Sequence, residues 1–297
     1  MVHSTWGDAF LKREVEASEP DRLTVWYMGC NGFVLRSPEA TVYVDPYFGD
    51  GDPPTWYRMI PVPLDPEDVT DCDAVLITHE HFDHFHPDSY GPMVENLDAD
   101  LYASETCFES PQKDYAELRA PKPRRRIVEP NTSYTVGDLV IHVRESNDPD
   151  AVGDVSYVIE HETGTFFTPG DSRFTEAFHE IGTEFDIDLG SLAFGTHAQV
   201  FYGDDWASFT GAERPHSSAG KLYMNENDVI KSANALRLDR LLPCHYDMWK
   251  GGLADPKSLH EHRASFPFPR SIEIAEVGDR MNVEEHGVTP MRDLVKH

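Results

Sequence analysis

The chain has 297 residues, enough for one large domain or two small ones, and it carries 53 acidic against 25 basic residues, a formal net charge of −28. Because the acids are spread along the whole chain, its surface would repel a nucleic acid, so we expect a small-molecule substrate and no nucleic-acid partner. The chain has no apolar run of the roughly 18 residues that a membrane span needs, and its amino-terminal segment is charged, which predicts a cytoplasmic protein without a signal peptide.

Two further features of the composition concern the environment of the protein. The four cysteines, Cys30, Cys72, Cys107 and Cys244, are widely spaced without a C-x-x-C pair, which suits reduced thiols. Lysine is scarce, since arginine supplies 17 of the 25 basic residues. Together with the excess of acids, this predicts a halophilic protein from a high-salt cytoplasm, and an ordinary acidic cytosolic protein is the alternative.

The amino-terminal part reads as a helix followed by a β-meander. Apolar residues with helical spacing between Trp6 and Val15 predict an amphipathic helix that ends near Pro20. Three strand-like runs follow, at 23–28, 32–37 and 41–46. A loop rich in proline and glycine then covers residues 49–66.

The rest of the chain alternates strands with helices. Residues 73–78, "DAVLIT", form an almost wholly apolar run, as expected for a strand that is covered on both faces. Further strands are predicted at 139–143, 156–160, 165–171, 187–194 and 240–247. Helices are predicted at 174–181 and from Asn225, which would be the N-cap. Meanders and helices thus occur twice without a convincing linker, and the simplest account is a single domain, residues 1–297, with a sheet sandwich flanked by helices.

A cluster of histidines follows the strand at 73–78. Four histidines and two carboxylates occupy the eight positions from 79 to 86. His79 and His81 stand two residues apart, so in extended backbone their side chains point the same way. Asp83 and His84 follow within reach of a second ion. This H-x-H-x-D-H spacing supplies the nitrogen and oxygen ligands that borderline divalent metals take, and it predicts a metal site.

A two-ion site would need ligands from elsewhere in the chain. Two ions about 3.5–4 Å apart lower the pKa of a shared water and polarise a carbonyl or phosphoryl oxygen. Asp171, in the glycine turn of "TPGDS", follows a strand and is placed to bridge both ions. His245, in "LLPCHYD", also follows a strand. Either residue alone is more often structural, but together with the cluster they predict two ions.

The motifs resemble the metallo-β-lactamase superfamily of metal-dependent hydrolases, and within it the bacterial L-ascorbate-6-phosphate lactonases. The resemblance covers most of the chain, including "WYMGCNGFVLRS", "VDPYFGDG", "DAVLITHEHFDH", "SYVIEHETGTFFTPGDS" and "LLPCHYDMWKGGLADP". It implies an α/β (α+β) fold, the αββα sandwich of two mixed sheets flanked by helices, which carries its ligands in this order. It also implies a homo-oligomer.

Two departures limit what the resemblance implies. Many superfamily members place a third histidine ligand after the strand that corresponds to 139–143, but this chain reads "RESNDPDAVGD" there. The lactonases resemble it in having an aspartate, which aligns with Asp148, and Asp154 is the alternative. An aspartate ligand shifts preference from Zn²⁺ towards Mn²⁺ or Mg²⁺, and we expect two divalent ions, Mn²⁺ or Zn²⁺. The loop at 49–66 is shorter than in the lactonases, so their sugar-phosphate specificity is not carried over.

Other side chains are weaker candidates. Arg173, directly after the "GDS" turn, and His197, after a predicted strand end, are predicted substrate contacts. The arginines at 124–126 are favoured as a solvated strand start that pairs with surface acids. Five further residues are expected to take no direct part in the site: Glu80, His86 at the surface, His142 within a strand, and Cys30 and Cys244 beside the ligands.

The functional hypothesis is hydrolysis of a small sugar-derived lactone, or a related ester, by water that the ions activate. Asp83 would take a proton and return it to the leaving alkoxide, while Asp45 and Thr78 orient the ligands. A small-molecule phosphodiesterase would use the same two ions. A di-iron oxygen-reducing site fits less well, because Glu80 is one residue out of register with His81. A metal-binding protein without turnover is the third alternative.

Overall fold

The structure, a computed structural model, describes residues 4–53, 56–109, 118–195, 223–250 and 253–291. Two seven-stranded mixed sheets pack face to face, and helices cover the outer face of each sheet. These four layers confirm the predicted αββα sandwich.

The first sheet joins an antiparallel meander to a set of parallel strands. Numbered along the chain, its strands are β1 (Thr24–Gly29), β2 (Gly32–Arg36), β3 (Thr41–Val44), β6 (Ala74–Leu76), β7 (Asp100–Ala103), β8 (Arg125–Ile127) and β16 (Arg280–Asn282). Their order in the sheet is β16-β1-β2-β3-β6-β7-β8, antiparallel as far as β3 and parallel from there. A small hairpin of β4 (Gly51–Asp52) and β5 (Trp56–Tyr57) lies in the loop at 49–66.

The second sheet repeats this plan. Its strands are β9 (Ser133–Val136), β10 (Leu139–Glu145), β11 (Val155–His161), β12 (Gly164–Thr168), β13 (Leu189–Ala193), β14 (Arg240–Cys244) and β15 (Ser271–Ile272). The order is β15-β14-β13-β12-β11-β10-β9, antiparallel from β9 to β12 and parallel from β12 to β15. The predicted double run of meander and helices is therefore present.

Helices cover the two outer faces. They are α1 (Pro87–Asn96), α2 (Glu105–Glu109), α3 (Ala177–Glu184), α4 (Glu226–Ala235) and α5 (Leu259–Arg263), with a π-helical turn at Leu11–Val15. Asn225 is the N-cap of α4, as predicted, and its side chain accepts a hydrogen bond from the Asp228 amide at 3.0 Å. Of the helices in the described ranges, none is long and apolar enough to cross a membrane.

Side chains along each strand point alternately to the two faces of the sheet, and this alternation builds the core. On β1, Val25 faces the space between the sheets and Trp26 faces the outer layer, so both faces of the strand are buried. Phe33 of the first sheet meets Phe166 of the second edge to face, with ring centroids 5.2 Å apart. The sheets therefore share one apolar core, and polar side chains gather beyond the strand ends.

Several predicted strands extend past their observed ends at the edge where those polar side chains lie, among them those at 73–78 and 165–171, which end at Leu76 and Thr168. The strand predicted at 41–46 ends before Asp45, and the one at 240–247 ends before His245. Both residues have positive φ, 41° and 65°, and a residue in this conformation cannot continue a strand. The helix predicted at 174–181 begins three residues later, at Ala177.

Candidate metal centre

The predicted ligands converge at one edge of the sandwich, because strands from both sheets end there. The segment after β6 carries the histidine cluster, and the turn after β12 carries Asp171. His245 directly follows β14, and Asp148 lies in the loop after β10. Gly170 (φ +61°) shapes the turn before Asp171, since a Cβ there would lie 2.4 Å from Oγ1 of Thr78.

One group of donor atoms surrounds His79 and His81. Nε2 of His79 lies 2.8 Å from Nδ1 of His81, and each of these nitrogens lies 3.5–3.6 Å from Oδ2 of Asp148. Asp171 completes the group, with a carboxylate oxygen within 4.8 Å of both histidines. Two imidazole nitrogens and two carboxylates thus face a common point.

A second group lies on the other side of Asp171. Nε2 of His245 is 3.2 Å from Oδ2 of Asp83 and 3.7 Å from Oδ1 of Asp171. Nε2 of His84 is 3.5 Å from the same Asp171 oxygen. Sγ of Cys30 also belongs to this group. Asp171 is therefore near both groups, at the position expected of a bridging ligand.

Asp45 and Thr78 fix the orientation of two histidines. Oδ2 of Asp45 lies 2.8 Å from Nδ1 of His84 and accepts a 2.6 Å hydrogen bond from the Thr78 hydroxyl. That hydroxyl also lies 3.0 Å from Nδ1 of His79. Because Nδ1 of each ring is occupied in this way, Nε2 is directed at the donor groups.

Nδ1 of His245, whose Nε2 faces the centre, has no hydrogen-bond partner among the described residues. The same holds for two buried atoms that face the donor groups, Nε2 of His84 and Oδ2 of Asp148. An unpaired buried polar atom is costly, and an ion is one of the accepted explanations for it. Both atoms face other donor atoms, and the donors are imidazole nitrogens and carboxylate oxygens. The residues therefore fit a divalent cation.

The charges of the centre also favour a bound cation. Burial and the nearby carboxylate of Asp171 raise the pKa of Asp148 to about 7. Burial alone would lower the pKa of His84. The carboxylates of Asp171 and Asp45 have the larger effect, so the pKa of His84 lies well above its usual value. The Asp171 carboxylate contributes to both shifts, and a divalent ion would supply the positive charge that these buried carboxylates lack.

The loop that carries Asp148 is held by Glu80. Its carboxylate accepts hydrogen bonds from the amides of Val152 at 2.6 Å and Gly153 at 3.4 Å. Asp154, the alternative ligand, instead accepts a 2.8 Å hydrogen bond from the Asp148 amide and so closes the loop. The structure thus places Asp148 rather than Asp154 beside the histidines. Glu80, which was expected to take no direct part in the site, anchors this loop.

The predicted surface position of His86 is wrong. Its side chain is buried, with Nδ1 2.7 Å from the Ser89 hydroxyl and the ring edge-on to Tyr47. His86 precedes α1, and a polar side chain three residues into that helix turns the imidazole inwards. The Pro-Asp-Ser sequence after His86, which is typical of a helix start, could have indicated this.

The structure gives different results for the remaining arginine and histidine predictions. Arg173 lies near the centre, with its guanidinium 3.5 Å from the Asp150 carboxylate. His197 lies outside the described residues. Arg124 and Arg126 pair at 2.8 Å and 2.9 Å with Asp98 and Asp100, which confirms the prediction of a strand start paired with surface acids. His142 lies within β10, as predicted.

Sequence reasoning gave no role to two polar contacts beside Asp171. Asn31 donates a 2.5 Å hydrogen bond from Nδ2 to Oδ1 of Asp171, and the Cys244 thiol donates a 2.7 Å hydrogen bond to Oδ1 of Asn31. This chain orients the bridging carboxylate. Asn31 stands in the β1–β2 turn, far from the ligands in sequence, so the contact depends on the meeting of the two sheets.

Known proteins share this fold and sequence pattern. Residues 40–246 match the family model of the beta-lactamase superfamily domain. The chain is 25% identical to the "Probable L-ascorbate-6-phosphate lactonase UlaG" of Escherichia coli strain SMS-3-5, over 86% of this chain and 78% of that protein. The Salmonella gallinarum protein of the same name is equally similar, with the same identity and coverage.

Solved structures show the same architecture at lower identity. Igni18, a metallo hydrolase from Ignicoccus hospitalis, matches with a TM-score of 0.62 at 16% identity, over 87% of this chain and 97% of that chain. An isothiocyanate hydrolase from Delia radicum gut bacteria matches with a TM-score of 0.60 at 17% identity, over 87% and 98%. At these identities the likeness concerns the fold.

Proposed function

Because this chain belongs to the metallo-β-lactamase superfamily and is a metal-dependent hydrolase, we propose that it opens a small sugar-derived lactone. The similarity to proteins named as L-ascorbate-6-phosphate lactonases, over most of both chains, supports this reaction class. The phosphate of that substrate is not part of the proposal, since 25% identity is too low to carry over a specificity.

The observation that carries the proposal is the convergence of buried donor atoms on both sides of Asp171. The proposed ligands are His79, His81, Asp83, His84, Asp148, Asp171 and His245. Two divalent ions, Mn²⁺ or Zn²⁺, are the proposed cofactors. When bound, they lower the pKa of water and polarise the carbonyl of the substrate.

Asp83 is the proposed proton carrier. Burial raises its pKa, but His84 and His245 outweigh burial and lower the pKa to about 2. The carboxylate is therefore ionised at neutral pH and can accept a hydrogen bond from the attacking water. Asp83 would take a proton from the water as the water attacks the carbonyl carbon. As the lactone ring opens, it would pass that proton to the departing alkoxide oxygen and return to its ionised form.

Arg173 is the proposed contact for an anionic part of the substrate. Its guanidinium is already close to one carboxylate, that of Asp150, at 3.5 Å. A substrate carboxylate or phosphate would compete for the same cation, so Arg173 fits a weak or transient anion contact better than a permanent phosphate site. His197 stays a predicted contact.

A substrate panel tests the proposal. The protein would be freed of metal with a chelator, reloaded with Mn²⁺ or Zn²⁺, and assayed with sugar lactones, with and without a phosphate, and with bis-p-nitrophenyl phosphate. We expect metal-dependent opening of at least one lactone. Turnover of the phosphodiester alone would instead favour the phosphodiesterase, and bound metal without any turnover would favour a non-catalytic protein.

A further inference from the structure

Cys30 occupies an unusual position beside the second donor group. It lies in the turn between β1 and β2 with φ 57°, and its side chain is fully buried. Sγ lies 3.2 Å from Nε2 of His245 and 3.8 Å from Oδ2 of Asp83. The nearest polar atom is therefore a ring nitrogen that itself faces the centre.

These contacts, which include one of 3.6 Å from Sγ to the Asp83 carbonyl, also have a spacing that fits the ligands of one ion. Ligands of a tetrahedral Zn²⁺, at about 2.0–2.3 Å from the ion, lie roughly 3.3–3.6 Å from one another. Sγ of Cys30, Asp83, His84 and His245 offer donor atoms that all lie within 4.8 Å of one another, and all four residues are buried. Nε2 of His84 has no hydrogen-bond partner in the described chain, so the group contains an atom that needs an occupant.

We propose that Cys30 is a sulfur ligand of the ion held by Asp83, His84 and His245. The thiol proton is released to solvent as the sulfur–metal bond forms. Cys244 is not equivalent, although it is equally buried, because its thiol donates a hydrogen bond to Asn31, which in turn donates to Asp171. This inference rests on the metal centre and is independent of the lactone.

A thiolate makes the two donor groups chemically different. The group around His79 and His81 offers only nitrogen and oxygen, a set that Mn²⁺ tolerates. The group around His245 gains a soft ligand, which favours Zn²⁺. The two positions are therefore expected to select different metals, with Zn²⁺ preferred on the side of Cys30.

Cobalt substitution tests the sulfur ligand without any substrate. Co²⁺ bound to thiolate absorbs strongly in the near ultraviolet, whereas Co²⁺ bound only to nitrogen and oxygen does not. We expect this band in the wild-type protein and in the control Cys107→Ser, which alters another fully buried thiol. In Cys30→Ser, the band should disappear while cobalt stays bound, and Zn²⁺ affinity should fall about ten-fold or more with Mn²⁺ affinity little changed.

Two outcomes would overturn the assignment. One is a cobalt-loaded wild-type protein without the band. The other is a band that persists in Cys30→Ser and disappears in Cys244→Ser, which would make Cys244 the ligand. If Cys30→Ser does not fold, X-ray absorption of the zinc-loaded wild-type protein decides, because a sulfur neighbour at about 2.3 Å is either present or absent. None of these readouts depends on hydrolysis, so a failed lactone assay leaves the result unaffected.

Discussion

Half of the six non-glycine residues with positive φ in the described chain lie at the candidate metal centre, and the other three, Asp98, Asn131 and Arg237, are not among the donor groups. Three non-glycine residues with positive φ, Cys30, Asp45 and His245, either belong to the donor groups or orient them. Such conformations cost on the order of 1 kcal/mol or more each for an ordinary side chain and persist only where the surroundings enforce them. Each of the three leaves a strand at the position where a regular strand would direct the side chain elsewhere. The strain therefore aims these side chains at the site.

Replacing Asp83 with Asn tests its proposed role as proton carrier. The amide has a similar size but cannot take up a proton, so we expect turnover to fall at least about a hundredfold. Metal content and circular dichroism must be measured on the same protein, because Asp83 is also a proposed ligand. Near-normal hydrolysis by Asp83→Asn would remove this residue from the mechanism.

Replacing Glu80 with Ala tests whether the loop at Asp148 needs its anchor. The amides of Val152 and Gly153 would lose their acceptor, so Asp148 would be held less firmly beside the histidines. We expect the affinity for one metal ion to fall by about 10–100-fold, as for other residues that orient ligands. Calorimetric titration measures this, and Glu162→Ala in the exposed β11–β12 turn is the control. Equal affinities in the two variants would contradict the anchoring role.

At the scale of elements, the strands were predictable and their ends were not. Apolar patterning identifies β6 and β14, but it cannot detect that the chain turns at Asp45 or His245, because positive φ leaves no mark on a non-glycine residue type. Helix α1 was not predicted because its sequence contains Gly91 and Pro92, and both residue types disfavour helices. Gly91 is required there because a Cβ would lie 2.6 Å from the Arg119 side chain.

The site was predictable where the sequence itself groups the ligands. The H-x-H-x-D-H motif is local, and Asp171 and His245 each follow a recognisable strand. Contacts that arise only when the two sheets meet, such as those of Asn31 and Cys30, have no local pattern. Glu80 lies inside the motif, but its partners are backbone amides about 70 residues away, at distances of 72 and 73 positions. Every residue except proline has a backbone amide, so the sequence does not show which amides will meet Glu80.

The turn after β12 gives a test at the same scale. Gly170→Ala would place a Cβ against the Thr78 hydroxyl, which lies 3.0 Å from Nδ1 of His79 and donates a hydrogen bond to the Asp45 carboxylate. We expect a loss of about 1 kcal/mol or more in stability, and also weaker metal binding. Gly7→Ala is a matched control, because Gly7 has φ +70° but nothing within 4 Å of an added Cβ. Gly7→Ala should lose stability but keep its metal affinity. Unchanged metal affinity in Gly170→Ala would show that the turn tolerates the shift.

At the scale of the whole molecule, negative charge exceeds what the basic residues can pair. Arg119 lies within 4.0 Å of the carboxylates of Glu67, Asp88 and Glu95, and Arg22 is likewise shared among three acids. Exposed pairs of this kind contribute little to stability, because water and salt screen them. With a net charge of −28, the remaining carboxylates repel one another and disfavour the compact state.

Salt should therefore stabilise the protein, and this tests the predicted high-salt origin. The Debye length falls from about 10 Å at 0.1 M to about 3 Å at 1 M salt, so repulsion between surface carboxylates is largely removed in molar KCl. We expect the midpoint of urea unfolding to rise steadily up to that concentration, with an unchanged slope. Potassium sulfate at equal ionic strength separates the causes, because sulfate also strengthens burial through exclusion from the surface. Stabilisation by sulfate alone would mean that exclusion, not screening, is responsible. A midpoint that is the same in low and molar KCl would instead favour an ordinary acidic cytosolic protein, whose compact state tolerates its charge without salt.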